Sequence, residues 1–302
     1  MERLPEPLRP WYQAARPRSL PATYAAIFTA GAITLADAKF EAVRFVLALV
    51  GALLLQIASN LVNEYVDFTR GTDATKVAGM GMVLSQGKLT AQQVLIAAIA
   101  ATVLGAAIGL ILVMQAGFTL LLIGLVGVAS VVLYTAGPLP LSYLGLGEVT
   151  AFLCFGPLMT FGTYVAVTAS SSVPAFLVGV PLGFTVAAIL HANNMRDIEV
   201  DKAANKRTLA VRFGLQGAYV EFTILIYGAY VAAAALIAAG VLPWTCLTVF
   251  FTLPEAVWLI RVTTRSKDPQ SLHRSQGRTA QLHWYLGLAL TAGWLLYIIL
   301  PR

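Results

Sequence analysis

The stretch 94–114, VLIAAIAATVLGAAIGLILVM, contains no charged side chain. As a helix it rises roughly 30 Å, the thickness of the hydrocarbon core of a bilayer. Several other stretches are almost as apolar, and a soluble domain has no interior in which to bury them all. The chain is 11% charged and 58% hydrophobic, against about 25% and 45–50% in soluble domains. It therefore reads as an integral membrane protein whose solvent is the lipid bilayer.

Apolar runs and their breakers predict an all-α bundle of nine transmembrane helices, at about residues 20–36, 42–62, 94–114, 118–135, 149–168, 174–192, 220–242, 246–260 and 284–300. The short connections at 115–117, 170–173 and around Pro243 fall on one side, and the long ones on the other. Lys and Arg mark which side is which. The tail (Arg3, Arg9, Arg16, Arg18) and the long loops (Arg70, Lys76, Lys88; Arg196, Lys202, Lys206, Arg207, Arg212; Arg261, Arg265, Lys267, Arg274, Arg278) hold seventeen of the twenty basic residues. Only Lys39, Arg44 and Arg302 lie opposite. This places the N-terminus in the cytoplasm and the C-terminus outside. A net charge of +6 distributed this way records topology and does not point to nucleic acid. No short apolar segment ends in a small-residue cleavage site, so the first span is expected to remain. Cys154 and Cys246 sit in apolar runs without metal-ligand or redox spacing.

The scarce charges concentrate. Residues 191–214, HANNMRDIEVDKAANKRTLAVRFG, hold three acids and five bases directly behind the sixth span. Asn193, Asp197 and Asp201 recur every four residues, so on a helix they share one face. Residues 60–73, NLVNEYVDFTRGTD, follow the second span and repeat the spacing with Asn63 and Asp67, with Asp73 beyond. The two rows occupy equivalent positions and predict one site between the halves of the bundle.

Carboxylates near a membrane surface are hard oxygen ligands. Magnesium takes few carboxylates together with water and phosphate oxygens, so facing aspartate rows suit a metal-bridged diphosphate better than a calcium cage. Arg70, Lys76, Lys206 and Arg207 are interleaved with the rows, as is Lys202, and would neutralise the phosphates. The plainer reading is a solvated loop of mixed charge. The chain has no Walker GxxxxGK[ST] loop and no GxGxxG, which favours a lipid diphosphate over a nucleotide. Residues 134–148, YTAGPLPLSYLGLGE, form an irregular loop of the kind tolerated where it lines a cavity. Tyr134, Tyr143, Phe155 and Tyr164 would present ring faces to a developing cation, or serve as interface anchors. Asn60, Asn63, Asn193, Tyr134 and Tyr164 are the candidate substrate contacts.

These motifs carry a resemblance. AARPRSLPA (14–22), NLVNEYVDFTRGTD (60–73), VLSQGKLT (83–90), YTAGPLPLSYLGLGE (134–148), FLCFGPLMTFGTY (152–164) and NNMRDIEVDKAANKRTLAVRFG (193–214) resemble the UbiA superfamily of intramembrane prenyltransferases. The similarity is greatest to the MenA type, which uses 1,4-dihydroxy-2-naphthoate. The resemblance implies one domain over residues 1–302, with nine helices around a central cavity capped by the 2–3 and 6–7 loops. It implies Mg2+ held by Asn63, Asp67 and Asp73 against Asn193, Asp197 and Asp201, the aspartates being catalytic. Arg70, Lys76, Lys206 and Arg207 would contact polyprenyl diphosphate. An aromatic acceptor, dihydroxynaphthoate, would be prenylated with loss of carbon dioxide to give demethylmenaquinone in a bacterial cytoplasmic membrane. A homo-oligomer is compatible with all of this.

Three departures stand out. Glu64 replaces the family's Asp, Asn205 replaces its Gly, and Gly71 moves the third acid of the first row to Asp73. The last is shared with the MenA type and favours a naphthoate acceptor. Alternatives are another aromatic acceptor, an intramembrane terpene cyclase, and a cation-coupled transporter. The transporter predicts acids near the midplane, whereas these gather at one face. Glu148 is expected to favour a helix N-terminus, His191 to be packed, and Glu255 to lie outside the site.

Overall fold

The computed structural model describes residues 5–71, 81–135 and 140–300. Thirteen α-helices and short 3-10 turns account for the ordered backbone, with no strand among the described residues. A short α1 (Arg9–Ala14) precedes α2 (Pro21–Ala36), α3 (Ala42–Thr69), α4 (Ala91–Ala116) and α5 (Phe118–Leu133). Then come α6 (Gly147–Phe155), α7 (Pro157–Thr168), α8 (Val173–Leu177), α9 (Val180–Arg196) and α10 (Ile198–Ala203). The chain ends in α11 (Leu209–Ala238), a 3-10 segment Trp244–Thr252, α12 (Leu253–Thr263) and α13 (Pro269–Ile299).

Seven of the described helices, single or in consecutive pairs, are long and apolar enough to cross a membrane, and an eighth crossing arises if a bent pair counts as one. Each expected run falls on helix, but three differ from the expectation in physical detail. The first is the bent pair Glu6–Ser19 and Pro21–Ala36, which turns by 56°. Pro17 and Pro21 lack the amide donors a continuous helix needs, and Arg16 adopts φ 52°. The fourth, α5, stops after 16 residues. The last starts at Pro269, capped by the Asp268 carboxylate, well before the apolar run begins.

The bilayer-facing surface follows from the solvent it meets. α4 turns Ile96, Ile99, Val103, Leu104, Leu110 and Met114 outward, since exposed apolar side chains cost nothing against lipid tails. Its inward face packs on α3, where Gly51 and Gly105 let the backbones approach; a Cβ on Gly105 would lie 3.1 Å from the Gly51 carbonyl oxygen. The largest buried cluster joins α2, α9, α11, α13 and the 3-10 segment through Leu182, Phe222, Ile226, Leu286 and Leu290.

The two ends of the chain meet there. Tyr24 and Trp284 stack edge to face with ring centroids 4.7 Å apart, and Thr29 lies 3.3 Å from Thr291 between hydroxyls. His283 Nε2 donates to the Pro21 carbonyl at 3.2 Å, while Nδ1 meets the Thr185 hydroxyl at 2.7 Å. The imidazole thus ties α2, α9 and α13 together.

Two spans are broken, and the breaks touch. α6 gives way to α7 at Gly156–Pro157, and α8 to α9 at Val178–Gly179. A Cβ on Gly156 would fall 2.5 Å from the Gly183 Cα, and one on Gly183 would fall 2.7 Å from the Phe152 carbonyl oxygen. Small residues here allow backbone-to-backbone contact, the usual way helices associate closely in lipid.

Candidate active site

α3 is 28 residues long, roughly 40 Å, and so projects beyond the hydrocarbon at one end. Its last two turns carry Asn63 and Asp67 on one face. α9 presents Asn193 in its last turn and then breaks: Asp197 has φ −101° and ψ 14°, and α10 restarts at Ile198. The second row is therefore not on one continuous helix, as its spacing predicted. Backbone bonds from Asp197 N to Asn193 O (3.0 Å) and from Asp201 N to Asp197 O (2.7 Å) carry the register across the break.

Asn63, Asp67, Tyr134, Asn193, Asp197, Asp201 and Lys206 line one polar cavity of about 130 Å³. Lys206 Nζ lies between the rows, 3.7 Å from Asp67 Oδ1 and 3.7 Å from Asp201 Oδ1. It arrives there by a reversal at Asn205, which takes φ 55°. This left-handed position suits Asn among non-glycine residues, and lets Lys206 N bond back to Asp201 O at 2.8 Å. The Tyr143 ring lies 5.1 Å from both Lys206 Nζ and the Arg70 guanidinium carbon, so one aromatic ring supports two cations. Arg196 grips Asp197 with both ends of its fork, Nε to Oδ1 at 2.7 Å and Nη2 to Oδ2 at 2.6 Å.

Other expected contacts are placed elsewhere. Asn60 is turned behind the cavity, donating to Ala15 O at 2.9 Å and Ser19 Oγ at 3.1 Å, so it pins the N-terminal segment instead of facing substrate. Arg70 stands at the rim on Tyr143, and the exposed Arg207 meets the loop by its backbone, N to Tyr143 O at 3.0 Å. Tyr164 is at the far end of the bundle, where its hydroxyl donates to Asp37 Oδ2 at 2.7 Å beyond the C-terminus of α2. That is roughly 24 Å along α2 from Pro21, too far to meet the diphosphate or the prenyl carbon bonded to it. Tyr164→Phe is accordingly expected to lower the thermal unfolding midpoint slightly, by about 1 kcal/mol of stability, and to leave turnover within about twofold. Asp73 and Lys76 lie outside the described residues.

Glu64 does not join the acids. It is fully buried and accepts from Arg16 Nη2 (3.1 Å) and Met82 N (2.9 Å). The longer side chain reaches past the cavity to tie the segment around Met82 onto α3. Gly81, at φ 90°, lies so close to this pair that a Cβ would collide with the Glu64 carboxylate.

Several lining residues escaped the sequence reading as site members, namely Thr135, Ser142, Asn194, Arg196 and Thr208, and they are joined by Arg16, which at the cytoplasmic entrance reads either as a topology signal or as a diphosphate contact. Thr135 donates to Asn63 Oδ1, orienting that amide. Arg16 Nε and Ser142 Oγ are buried and have no hydrogen-bond partner among the described residues. Unsatisfied buried donors at a cavity wall are costly, and an anionic ligand would satisfy them. The available signals were Arg16 beside Pro17 and Ser142 within the proline-glycine loop.

The donor set fits a hard divalent cation. Two asparagine amides and three aspartate carboxylates of the rows line the cavity, and Lys206 already sits as a positive charge between two of the carboxylates. The Arg196 fork uses two of the roughly four lone-pair sites of Asp197 and leaves the others.

Comparison with known proteins agrees with this architecture. The profile of the UbiA prenyltransferase family matches residues 24–286. A 1,4-dihydroxy-2-naphthoate octaprenyltransferase of Bacillus subtilis is 30% identical over 286 residues, 94% of this chain and 92% of that one. Among solved structures, the apo form of a UbiA homolog from Aeropyrum pernix superposes with a TM-score of 0.69 at 15% identity, covering 92% of this chain and 98% of that one. A UbiA homolog from Archaeoglobus fulgidus bound to GPP and Mg2+ gives 0.62 at 16% identity, covering 95% and 100%. The last two likenesses are of fold.

Proposed function

The chain belongs to the UbiA prenyltransferase family and is a prenyltransferase of the membrane, and from that premise we propose its substrates and the residues that act on them. The reaction is transfer of a polyprenyl group from polyprenyl diphosphate to 1,4-dihydroxy-2-naphthoate, with loss of carbon dioxide, to give the prenylated naphthoquinol, the reduced form of demethylmenaquinone. The observation that carries the site assignment is the convergence of both aspartate rows on Lys206 in one cavity with unsatisfied donors. The acceptor rests on the similarity to the Bacillus subtilis enzyme and on the placement of the third acid at Asp73.

Asn63, Asp67, Asp73, Asn193, Asp197 and Asp201 would hold Mg2+, which when bound supplies positive charge to the diphosphate leaving group. Lys206 meets the diphosphate directly, with Arg16 Nε and Ser142 Oγ donating from the wall and Arg70, Lys76 and Arg207 at the rim. The C1–O bond of the prenyl chain breaks and its electron pair leaves on diphosphate. The acceptor carbon bearing the carboxylate forms the new bond to C1; loss of carbon dioxide returns an electron pair to the ring. The apolar bundle takes the polyprenyl tail and excludes water from the allylic cation, and the Tyr134 ring lies at the cavity wall where that cation forms. We further propose nine crossings within a single domain of 302 residues, with the site on the cytoplasmic face, since the basic residues gather at that end.

Purified protein with Mg2+ and a long all-trans prenyl diphosphate is expected to consume 1,4-dihydroxy-2-naphthoate and release carbon dioxide stoichiometrically. Parallel reactions with 4-hydroxybenzoate, homogentisate and no acceptor discriminate the alternatives. Equal turnover of hydroxybenzoate defeats the acceptor assignment, and a cyclic hydrocarbon formed without acceptor defeats transfer itself.

A further inference from the structure

A second group of ligand-type side chains lies behind the cavity wall. His191 on α9, Glu148 at the start of α6 and Glu221 on α11 bring one nitrogen and two carboxylate oxygens within 4.8 Å of one another. His191 Nδ1 is 3.0 Å from Glu148 Oε1 and 3.5 Å from Glu221 Oε1. None of the three belongs to the aspartate rows.

With a single ring proton the hydrogen-bond roles around this imidazole do not close on protein groups, and either a second ring proton or a bound cation closes them. Nε2 lies 2.9 Å from the Ala218 carbonyl, which can only accept, so the ring proton is on Nε2. In the neutral ring Nδ1 then presents a lone pair to carboxylate oxygens that also carry lone pairs. His283 shows the satisfied alternative, one nitrogen on a carbonyl and the other on a hydroxyl. Glu148 is 4% exposed, yet its Oε2 has no hydrogen-bond partner among the described residues. Neither acid has Lys or Arg within ion-pair distance among the described residues. One buried and one partly exposed carboxylate against one imidazole call for positive charge, which a metal ion or the doubly protonated ring supplies.

We propose that Glu148, His191 and Glu221 form a second metal site, selective for a nitrogen-accepting divalent ion of the zinc class. Tetrahedral zinc with bonds of about 2.0–2.1 Å holds its ligand atoms about 3.3 Å apart, close to the 3.0 and 3.5 Å separations here. The surroundings are those of a ligating histidine, whose second nitrogen commonly donates to a backbone carbonyl. Asn194 Nδ2 donates to Glu148 Oε1 at 2.8 Å and fixes that carboxylate. Imidazole and carboxylate together suit zinc, whereas magnesium prefers oxygen alone. Glu221 is partly exposed, giving the ion a way in from the α11 side. The ion would clamp α6, α9 and α11, and through Asn194 it would brace the wall of the prenyl-transfer cavity.

The test uses the full chain in detergent, stripped with chelator and titrated with Co2+ as a spectroscopic substitute for zinc. About one equivalent is expected to give visible d–d absorption that Zn2+ abolishes. Glu221→Gln, a substitution at a partly exposed position, is expected to weaken Co2+ binding at least about tenfold, and Glu148→Gln to remove the band; gel filtration and circular dichroism report that each variant is folded. The Asp67→Asn/Asp197→Asn double variant retains the band, which separates this site from the aspartate rows. Absence of the band in the wild-type chain overturns the proposal, as does a band that survives Glu221→Gln unchanged or disappears in the aspartate variant.

Discussion

Asp67→Asn is expected to reduce prenyl transfer by roughly 10²–10³-fold or more while leaving the protein folded and inserted. Losing one preorganised electrostatic partner at a reacting centre costs about 3–4 kcal/mol of barrier. Asn keeps the volume and shape of Asp, so packing at the end of α3 is preserved. The ion pair between Asp67 and Lys206 spans 3.7 Å and is largely buried, but Lys206 keeps Asp201 at 3.7 Å as a partner, so the loss stays below the roughly 3–5 kcal/mol of stranding a buried charge. Catalysis therefore falls far more than folding does. Asp201→Asn should behave alike, and because both carboxylates face the same Lys206, the double variant should lose much less than the product of the two effects. Near-normal turnover in Asp67→Asn, measured by prenylated product against time, would remove the first row from the site.

A second large effect is expected from a methyl group. Gly183→Ala would place Cβ 2.7 Å from the Phe152 carbonyl oxygen, and Gly179→Ala would place it 2.5 Å from the carbonyl carbon of Gly156. Alanine gains about 1 kcal/mol of helix propensity over glycine. Overpacking costs about 1–3 kcal/mol even where side chains can adjust. Here the opposing atoms are backbone, so the clash wins and the two broken spans are forced apart. The thermal unfolding midpoint of either variant in detergent should drop by roughly 5 °C or more. Activity should fall with it, since α6 and α9 carry Glu148 and Asn193. Gly124 has nothing within 4 Å of its would-be Cβ, and Gly124→Ala should be neutral or slightly stabilising. Equal behaviour of Gly183→Ala and Gly124→Ala would show that the backbones are not in contact as described.

Much of this was legible in the sequence because lipid leaves few options. Long uncharged runs must be helices, and charges that survive beside them must be handled at the ends. The fourfold spacing of Asn63 with Asp67 and of Asn193 with Asp197 and Asp201 therefore located both rows. Spacing did not reveal the helix break at Asp197, because backbone bonds preserve the register across it. Aromatic identity alone was a poor guide: Tyr134 lies at the cavity, while Tyr164 is spent on Asp37 at the other end. Asn60 looked like a substrate contact because it belongs to the motif, but one helical turn before Asn63 it already faces the N-terminal segment. Ser142 and the Glu148–His191–Glu221 group were hidden for a different reason. Their meaning depends on neighbours distant in sequence, and no local pattern encodes those.

The seam between α2 and α13 bears on how the protein is made. Pro21 and His283 are 262 positions apart, so at about 5–20 residues per second the ribosome needs roughly 13–50 s to deliver the partner of a helix already in the bilayer. Until then Thr29 and the opening turn of α2 lack the last helix they pack against. Asp67 on α3 likewise waits for Lys206. Emergence of α13, and not insertion of the first helices, is the step at which this molecule can close, and a nascent chain stalled before α13 should be a ready substrate for membrane quality control.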